Sequence, residues 1–539
     1  MIKTIEKYPI ASIFAFVFLM LGLSLWVLPV SIMEARNFIA AREMLQDDNW
    51  ILTTMNGEAR YQKPPLPTWI TAFFGSIFGI TKVWALRLPA ILLIGIIGSQ
   101  VYLLSKQLQL EKAQSLRNAF VAVTSFYIIG IVVEAPWDIY AHGFTTIALC
   151  QLFMLFQGRA KFWNSILFAI MIAATVLSKG PVSLYALFLP FVLSYVFVYK
   201  FEGGILRHLK WITLLVFGIA IGGLWYLYVR IADPETFTAI ASKETGNWSS
   251  YNVRPFYYYW SFFTQSGLWT IPAFVSLLYP YLKSRVSNLK AYKFSLFWTL
   301  FAVILLSIVP EKKSRYLMPV LIPLAINIGF YLEYLVRSFK SMSDKKETYP
   351  VYFNFGLIGL VAVVFPILAY LALGGFSGLY LVLYILASIC LLILGFLILK
   401  SLRTKDISKT IALNFLMMLT LGLLALPLAD NNKASNYKPI AELDTSDDLK
   451  LHAYSGISPE AIWNYGSKIP VLKTEGGLQI PEASSFLLAF NHNETEIPEA
   501  LSNLYRIELI GTFDLNTSEK NSRSYKERLV NKVYKLTRR

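Results

Sequence analysis

Charge is what this sequence has least of: Asp, Glu, Lys and Arg together make up 15% of its 539 residues, against 56% hydrophobic. With a mean hydropathy of +0.52, the chain is too apolar to be a soluble globular protein and long enough for a dozen or so membrane spans. Cysteine is nearly missing. Cys150 and Cys390 both lie inside apolar runs, where they read as packing residues and offer neither a disulfide framework nor a thiolate metal pair. Acidic residues are the scarcer sign, 33 against 49 Lys and Arg, giving a formal net charge of +16. That excess is not a nucleic-acid surface. The cations are scattered in short loops between apolar runs, the pattern of topology signals and of contact with anionic lipid headgroups.

Apolar runs occupy the first 428 residues. The first, 10–30, follows Lys3 and Lys7, is long enough to span, and is not followed by a small-residue cleavage pattern. It reads as a retained anchor with a cytoplasmic N-terminus. Further runs lie near 84–106, 117–133, 139–157, 162–178, 182–199, 210–231, 257–283, 293–309, 316–337, 350–372, 377–400 and 410–428. The stretch 66–80 is short for a crossing. If it does not cross, the loops carrying Lys106, Lys112 and Arg117, then Lys200, Arg207 and Lys210, then Lys283, Arg285, Lys290 and Lys293, all face the cytoplasm, as the positive-inside rule requires. The expectation is therefore thirteen spans, with amphipathic juxtamembrane helices in a first outer loop at 31–83.

That parity gathers the unusual polar groups on one outer face: the first loop, the Glu134 to Asp138 turn, Lys179-Gly180-Pro181, the 232–256 loop and the 310–315 turn. After Leu428 the composition turns mixed and polar. Short apolar or alternating runs at 449–454, 486–490 and 504–513, with a helix opening near Pro459, indicate a small α/β domain outside the membrane. The Lys/Arg-rich end reads as a solvated or headgroup-facing helix or strand. The expected domains are thus a catalytic membrane domain at 1–429 and a C-terminal domain at 430–539.

Ionisable groups at a membrane face are expensive to keep and point to function. Glu34, Arg36, Arg42 and Glu43 also fit an ordinary amphipathic helix lying in the headgroups. Asp138 also fits a helix N-cap. With His142 one turn on it could be half of a metal site, but the only local third ligand is Cys150, so a structural histidine fits better. Lys179 also fits a snorkelling lysine at a span end. Against these readings stands the company they keep: Arg36, Lys63, Lys179, Arg254, Lys312, Lys313 and Arg315 share a face where cations are normally depleted. A phosphorylated ligand explains them, since Arg and Lys satisfy phosphate oxygens by bidentate and point-charge contacts.

These residues also carry a resemblance. Met33-Glu34-Ala35-Arg36, Arg42-Glu43-Met44-Leu45, Tyr61-Gln62-Lys63-Pro64-Pro65, Trp137-Asp138, Lys179-Gly180-Pro181, Arg254-Pro255-Phe256-Tyr257-Tyr258 and Lys312-Lys313-Ser314-Arg315-Tyr316 follow one another as in the aminoarabinose transferase and protein O-mannosyltransferase superfamily. The resemblance implies a GT-C fold and an inverting glycosyltransferase of the bacterial inner membrane, with its active site and C-terminal domain periplasmic. It implies transfer of a sugar from a polyprenyl-phosphate donor to a lipid, glycan or protein acceptor. On the family's pattern Arg36, Lys63, Lys179 and Tyr316, with Arg315 and Lys313, hold the donor phosphate; Tyr61, Arg254 and Glu244 lie at the substrate; and Glu34 and Asp138 are the catalytic carboxylates. This chain has Met33-Glu34 where the family commonly has Asp-Glu, so the first carboxylate is missing. Gln62 and Thr245 stand at the metal positions of the aminoarabinose transferases, implying no metal or other cofactor. Two other classes, a transporter and a polymerase or flippase of lipid-linked glycans, share the many spans. A transporter would place charges mid-helix, whereas these sit at span ends.

Overall fold

The computed structural model describes residues 2–539 apart from 135, 202, 203, 432, 433, 445–448, 475, 495 and 496. The chain forms two compact units, one of 1–27, 61–67 and 87–429, the other of 28–60, 68–86 and 430–539. The division differs from the single cut expected at 429/430: most of the first outer loop goes with the C-terminal tail, because its helix supplies part of the tail's core.

The first unit is helical and belongs to a multi-pass membrane protein. Among the described residues nine helices are long and apolar enough to cross a bilayer, ten if the pair Lys112–Val123 and Phe126–Val132, bent by 52°, counts as one span. Thirteen was the expectation, and the run at 257–283 accounts for part of the difference. Instead of one helix it makes the short turns Phe256–Tyr259 and Phe262–Trp269 and the helices Thr270–Ser276 and Tyr279–Leu282. Gly267 adopts φ 66°, ψ −112°, and Pro272 and Pro280 open the next two pieces, so the backbone cannot carry an unbroken hydrogen-bond ladder. The ambiguous stretch forms Leu66–Phe78; at 1.5 Å per residue its 13 residues rise about 20 Å, short of a hydrocarbon core of about 30 Å.

Two helices fix the geometry that follows. Pro136–Phe156 and Phe162–Lys179 form an antiparallel hairpin, tied midway by Thr145 Oγ1 and Thr175 Oγ1 at 3.0 Å. The helix Ile205–Ala232 lies against the second of them through Gly218 and Gly222. A Cβ on these glycines would stand 2.7 Å from the Ala169 carbonyl oxygen and 2.6 Å from that of Ala173. Only glycine lets the two backbones approach so closely, the packing available where apolar burial no longer drives association.

In the second unit the helix Ile32–Asp47 places Ile39 in the core formed by Leu451, Leu487, Phe513 and Val533, with Phe38 edge-on to Trp463 at 5.3 Å. Glu43, fully buried, accepts from Thr54 Oγ1 and the Asn56 amide, both at 2.6 Å. It thereby orders the hairpin Thr54–Met55/Glu58–Ala59. Asn56 in turn exchanges two hydrogen bonds with the backbone of Ile469, at 2.8 and 2.7 Å. The tail sheet runs in the order Leu451–Ala453, Ser485–Asn491, Val530–Arg538, Tyr505–Asp514, parallel at the first pairing and antiparallel at the others. The three expected strands and the helix Pro459–Tyr465 are present. The basic end is a strand, as one of the two expected forms had it, and a central one: Val533 and Leu536, three residues apart and so on opposite faces, are buried in the two separate cores, while Lys532 and Arg538 are exposed.

Candidate functional site

Asp138 lies in the first turn of its helix and Lys179 is the last residue of the next, so the hairpin brings the two to the same end. The lysine ammonium is ion-paired with the Asp138 carboxylate, and the side chains are only 10% and 3% exposed. Gly180 turns the chain sharply after Lys179 at φ 64°; a Cβ there would lie 2.9 Å from the Tyr226 hydroxyl. The turn sets Ser183 Oγ 2.8 Å from Nδ1 of His142, so the histidine is a buried, hydrogen-bonded helix residue. Among the described residues no three of His, Cys, Asp and Glu gather as metal ligands. The side chain of Glu134, the expected neighbour of Asp138, lies outside the described residues.

The second wall comes from the 310–317 turn. Val253 bridges to Glu311, and Arg254 N donates to the Pro310 carbonyl at 3.1 Å, which holds two loops side by side. Lys312 is buried, with its ammonium on the carbonyls of Arg254 (3.1 Å) and Val309 (2.5 Å). Burial lowers its pKa, and the lysine acts as a staple. Tyr259 locks the next residue, its hydroxyl accepting from Lys313 N at 2.9 Å and donating to Lys313 O at 3.0 Å. So fixed, Lys313 pairs with Glu311 at 2.6 Å, and Tyr316 donates to the same carboxylate oxygen at 3.2 Å. The Tyr316 ring is the common face: Lys179, Lys313 and Arg315 stand 5.2, 5.6 and 5.7 Å from its centroid. Arg315 is an electrostatic neighbour of both Asp138 and Lys179. Its Nε is buried with no hydrogen-bond partner among the described residues.

The short segment 61–67 completes this arrangement. Tyr61 is buried and donates to Asp233 Oδ2 at 3.0 Å. Asp233 also caps the helix Pro234–Ser250 by accepting from Thr236 N. Burial, then the hydrogen bond to Asp233, pushes the Tyr61 hydroxyl up to about 12. Lys63 pairs with Glu244 at 3.5 Å and acts electrostatically on Lys179.

Of the residues expected from the sequence, Asp138, Lys179, Tyr316, Arg315, Lys313 and Lys63 come together in the first unit. Tyr61 and Glu244 serve as the immediate partners of Asp233 and Lys63. Arg254 contributes its backbone while its side chain is exposed. Glu34 and Arg36 belong to the second unit. There Ser31 and Glu34 form a capping box, the Ser31 amide donating to Glu34 Oε2 at 3.0 Å, and Glu34 is buried. Glu311, Asp233, Tyr259 and Ser183 were not singled out in the sequence. Only Glu311 carried a signal, as the one carboxylate in the run Glu311-Lys312-Lys313. The cluster sets four cations, Lys63, Lys179, Lys313 and Arg315, against three carboxylates, Asp138, Glu244 and Glu311. Its excess positive charge, with Nε of the half-buried Arg315 making no hydrogen bond among the described residues, suits an anion.

A profile of dolichyl-phosphate-mannose-protein mannosyltransferases matches residues 62–226. An uncharacterized protein of Aquifex aeolicus is 29% identical over 299 residues, which cover 54% of this chain and 57% of that protein. An undecaprenyl phosphate-alpha-4-amino-4-deoxy-L-arabinose arabinosyl transferase of Shewanella sediminis is 23% identical over 459 residues, 78% of this chain and 77% of its own. In three dimensions the crystal structure of ArnT from Cupriavidus metallidurans bound to undecaprenyl phosphate superposes with a TM-score of 0.67 at 15% identity, over 98% of this chain and 97% of its own. The fold is therefore that of ArnT.

Proposed function

We propose that this chain, which is similar in sequence to aminoarabinose transferases and to protein O-mannosyltransferases, transfers a sugar from a polyprenyl-phosphate carrier to a lipid, glycan or protein acceptor on the periplasmic face of a bacterial inner membrane. The observation that carries the reading is the cation cluster on Tyr316, with Arg315 Nε buried and without a hydrogen bond among the described residues. A glycosyl phosphate brings its own leaving group. The acceptor oxygen attacks the anomeric carbon, a carboxylate takes the acceptor proton, and the bond from that carbon to the phosphate oxygen breaks with its electron pair leaving on the carrier phosphate. Charge accumulates on that phosphate, so preorganised cations at its oxygens lower the barrier. Lys63, Lys179, Arg315 and Lys313 are the residues proposed to hold it, with Tyr316 as the shared face of the last three. Glu34 and Asp138 are the carboxylates proposed for the base. The reaction so written runs without a bound metal.

The test is transfer by the purified protein in detergent, with a radiolabelled undecaprenyl-phosphate sugar and a panel of lipid, glycan and peptide acceptors. Stoichiometric release of undecaprenyl phosphate with labelled acceptor is the expected result. Donor that is moved or chained into polymer with no acceptor labelled would instead indicate a flippase or polymerase.

A further inference from the structure

The helix Leu289–Ile308 ends near the turn that carries Glu311, Lys313 and Tyr316. Its 20 residues rise about 30 Å, one hydrocarbon thickness, so its start lies at the opposite membrane face. At that start is an open groove of about 430 Å³, lined by Phe197, Tyr279, Phe297, Lys290 and Lys293. Its apolar side is aromatic: Phe197 is 63% exposed and packs edge-on to Phe297 at 4.6 Å. Lys290 and Lys293, one turn apart, stand over the rings of Tyr199 at 4.7 Å and Tyr279 at 5.8 Å. A ring face holds an ammonium without using its hydrogens. Neither lysine forms an ion pair among the described residues. Asn288 fixes the start of the helix, accepting from Ala291 N at 3.0 Å and donating to the Leu108 carbonyl at 3.2 Å, so the backbone from which the two lysines project is set.

We infer that this groove seats one anionic phospholipid of the leaflet opposite the transfer site, its phosphate oxygens on Lys290 and Lys293 and an acyl chain along Phe197 and Phe297. Charge complementarity selects the occupant: two unopposed cations at headgroup depth beside an exposed aromatic trough fit a lipid that is anionic at one end and apolar at the other. Juxtamembrane lysines attract anionic lipid in any case; the groove adds a fixed seat. The inference is independent of which sugar or acceptor the other face handles.

The measurement is native mass spectrometry of the purified full chain titrated with phosphatidylglycerol against phosphatidylcholine in detergent. The wild type should carry a single phosphatidylglycerol at low lipid. In the Lys290→Gln, Lys293→Gln double variant the apparent Kd for that first lipid should weaken at least tenfold. The control Lys345→Gln, Lys346→Gln, which removes two exposed cations from another helix start, should bind as the wild type does. Phe197→Ser, at an exposed position, provides a second arm and should weaken the same lipid with both lysines intact. Equal weakening in the control pair, no weakening in the groove variants, or displacement of the lipid by millimolar inorganic phosphate would overturn the inference.

Discussion

Lys179 is paired with Asp138 across 41 residues of sequence, each at the same end of a two-helix hairpin and each nearly shut off from solvent. Removing one partner strands the other's charge in a dry place, which costs about 3–5 kcal/mol, whereas replacing both with apolar residues is far milder. Lys179→Ala should therefore lower the melting temperature sharply. The double variant Lys179→Met, Asp138→Leu should recover most of that loss and still transfer no sugar. A Lys179→Ala protein as stable as the wild type would mean the pair is not buried as described.

Lys63 is more exposed, at 27% of its side chain, and its loss strands nothing. Lys63→Ala should leave the melting temperature unchanged. It should weaken donor binding by about 1.5–3 kcal/mol, the range of one charge-assisted hydrogen bond, or roughly ten- to a hundredfold in Kd. Equilibrium binding of an undecaprenyl-phosphate sugar reads this directly, and an unchanged Kd removes Lys63 from the proposed phosphate clamp.

The base can be assigned by two isosteric changes. Glu34→Gln keeps an acceptor for the Ser31 amide, so the capping box survives while the basicity is gone. We expect it to bind donor normally and to abolish turnover at saturating donor. Should Glu34→Gln retain near-normal turnover while Asp138→Asn does not, the base is Asp138.

Tyr61 supplies a dependence on pH. Its folded pKa, about 12, lies above the unfolded value of 10. The native state thus holds the phenol proton more tightly, and the stability this contributes is complete below pH 10 and lost as pH rises toward 12. Thermal unfolding between pH 9 and 12 should show the wild type losing stability more steeply than Tyr61→Phe. Parallel curves would place the Asp233 contact outside the folding equilibrium.

Gly222 tests the packing that holds Lys179 in place. A branched side chain there meets the Ala173 carbonyl and the Val176 side chain, and overpacking of this kind costs about 1–3 kcal/mol. Gly222→Val should lower the melting temperature and reduce turnover together; a change in neither would mean that the Ile205–Ala232 helix is free to shift.

Much of this protein was legible in its sequence because a membrane is a demanding solvent. An apolar run long enough to span declares itself, and a cation or carboxylate at its end stands out against the composition, which is how Asp138, Lys179 and the 312–316 turn were picked out. Continuity was not legible in the same way. Residues 257–283 are as apolar as a span, and only the backbone at Gly267, with Pro272 and Pro280 behind it, breaks them into short turns. The basic end of the chain likewise showed its charge and hid its place as a central strand, which the flanking Ser485–Asn491 and Tyr505–Asp514 decide. Partnership was the last thing the linear order withheld. That Glu43 folds a hairpin, that Lys312 staples two loops while Lys313 beside it turns to Glu311, and that Tyr316 gathers three cations on one ring depend on distances between segments far apart in sequence. Residue type and spacing set which chemistry was available; which groups meet was decided by the packing of helices and turns that bring them within a few ångströms.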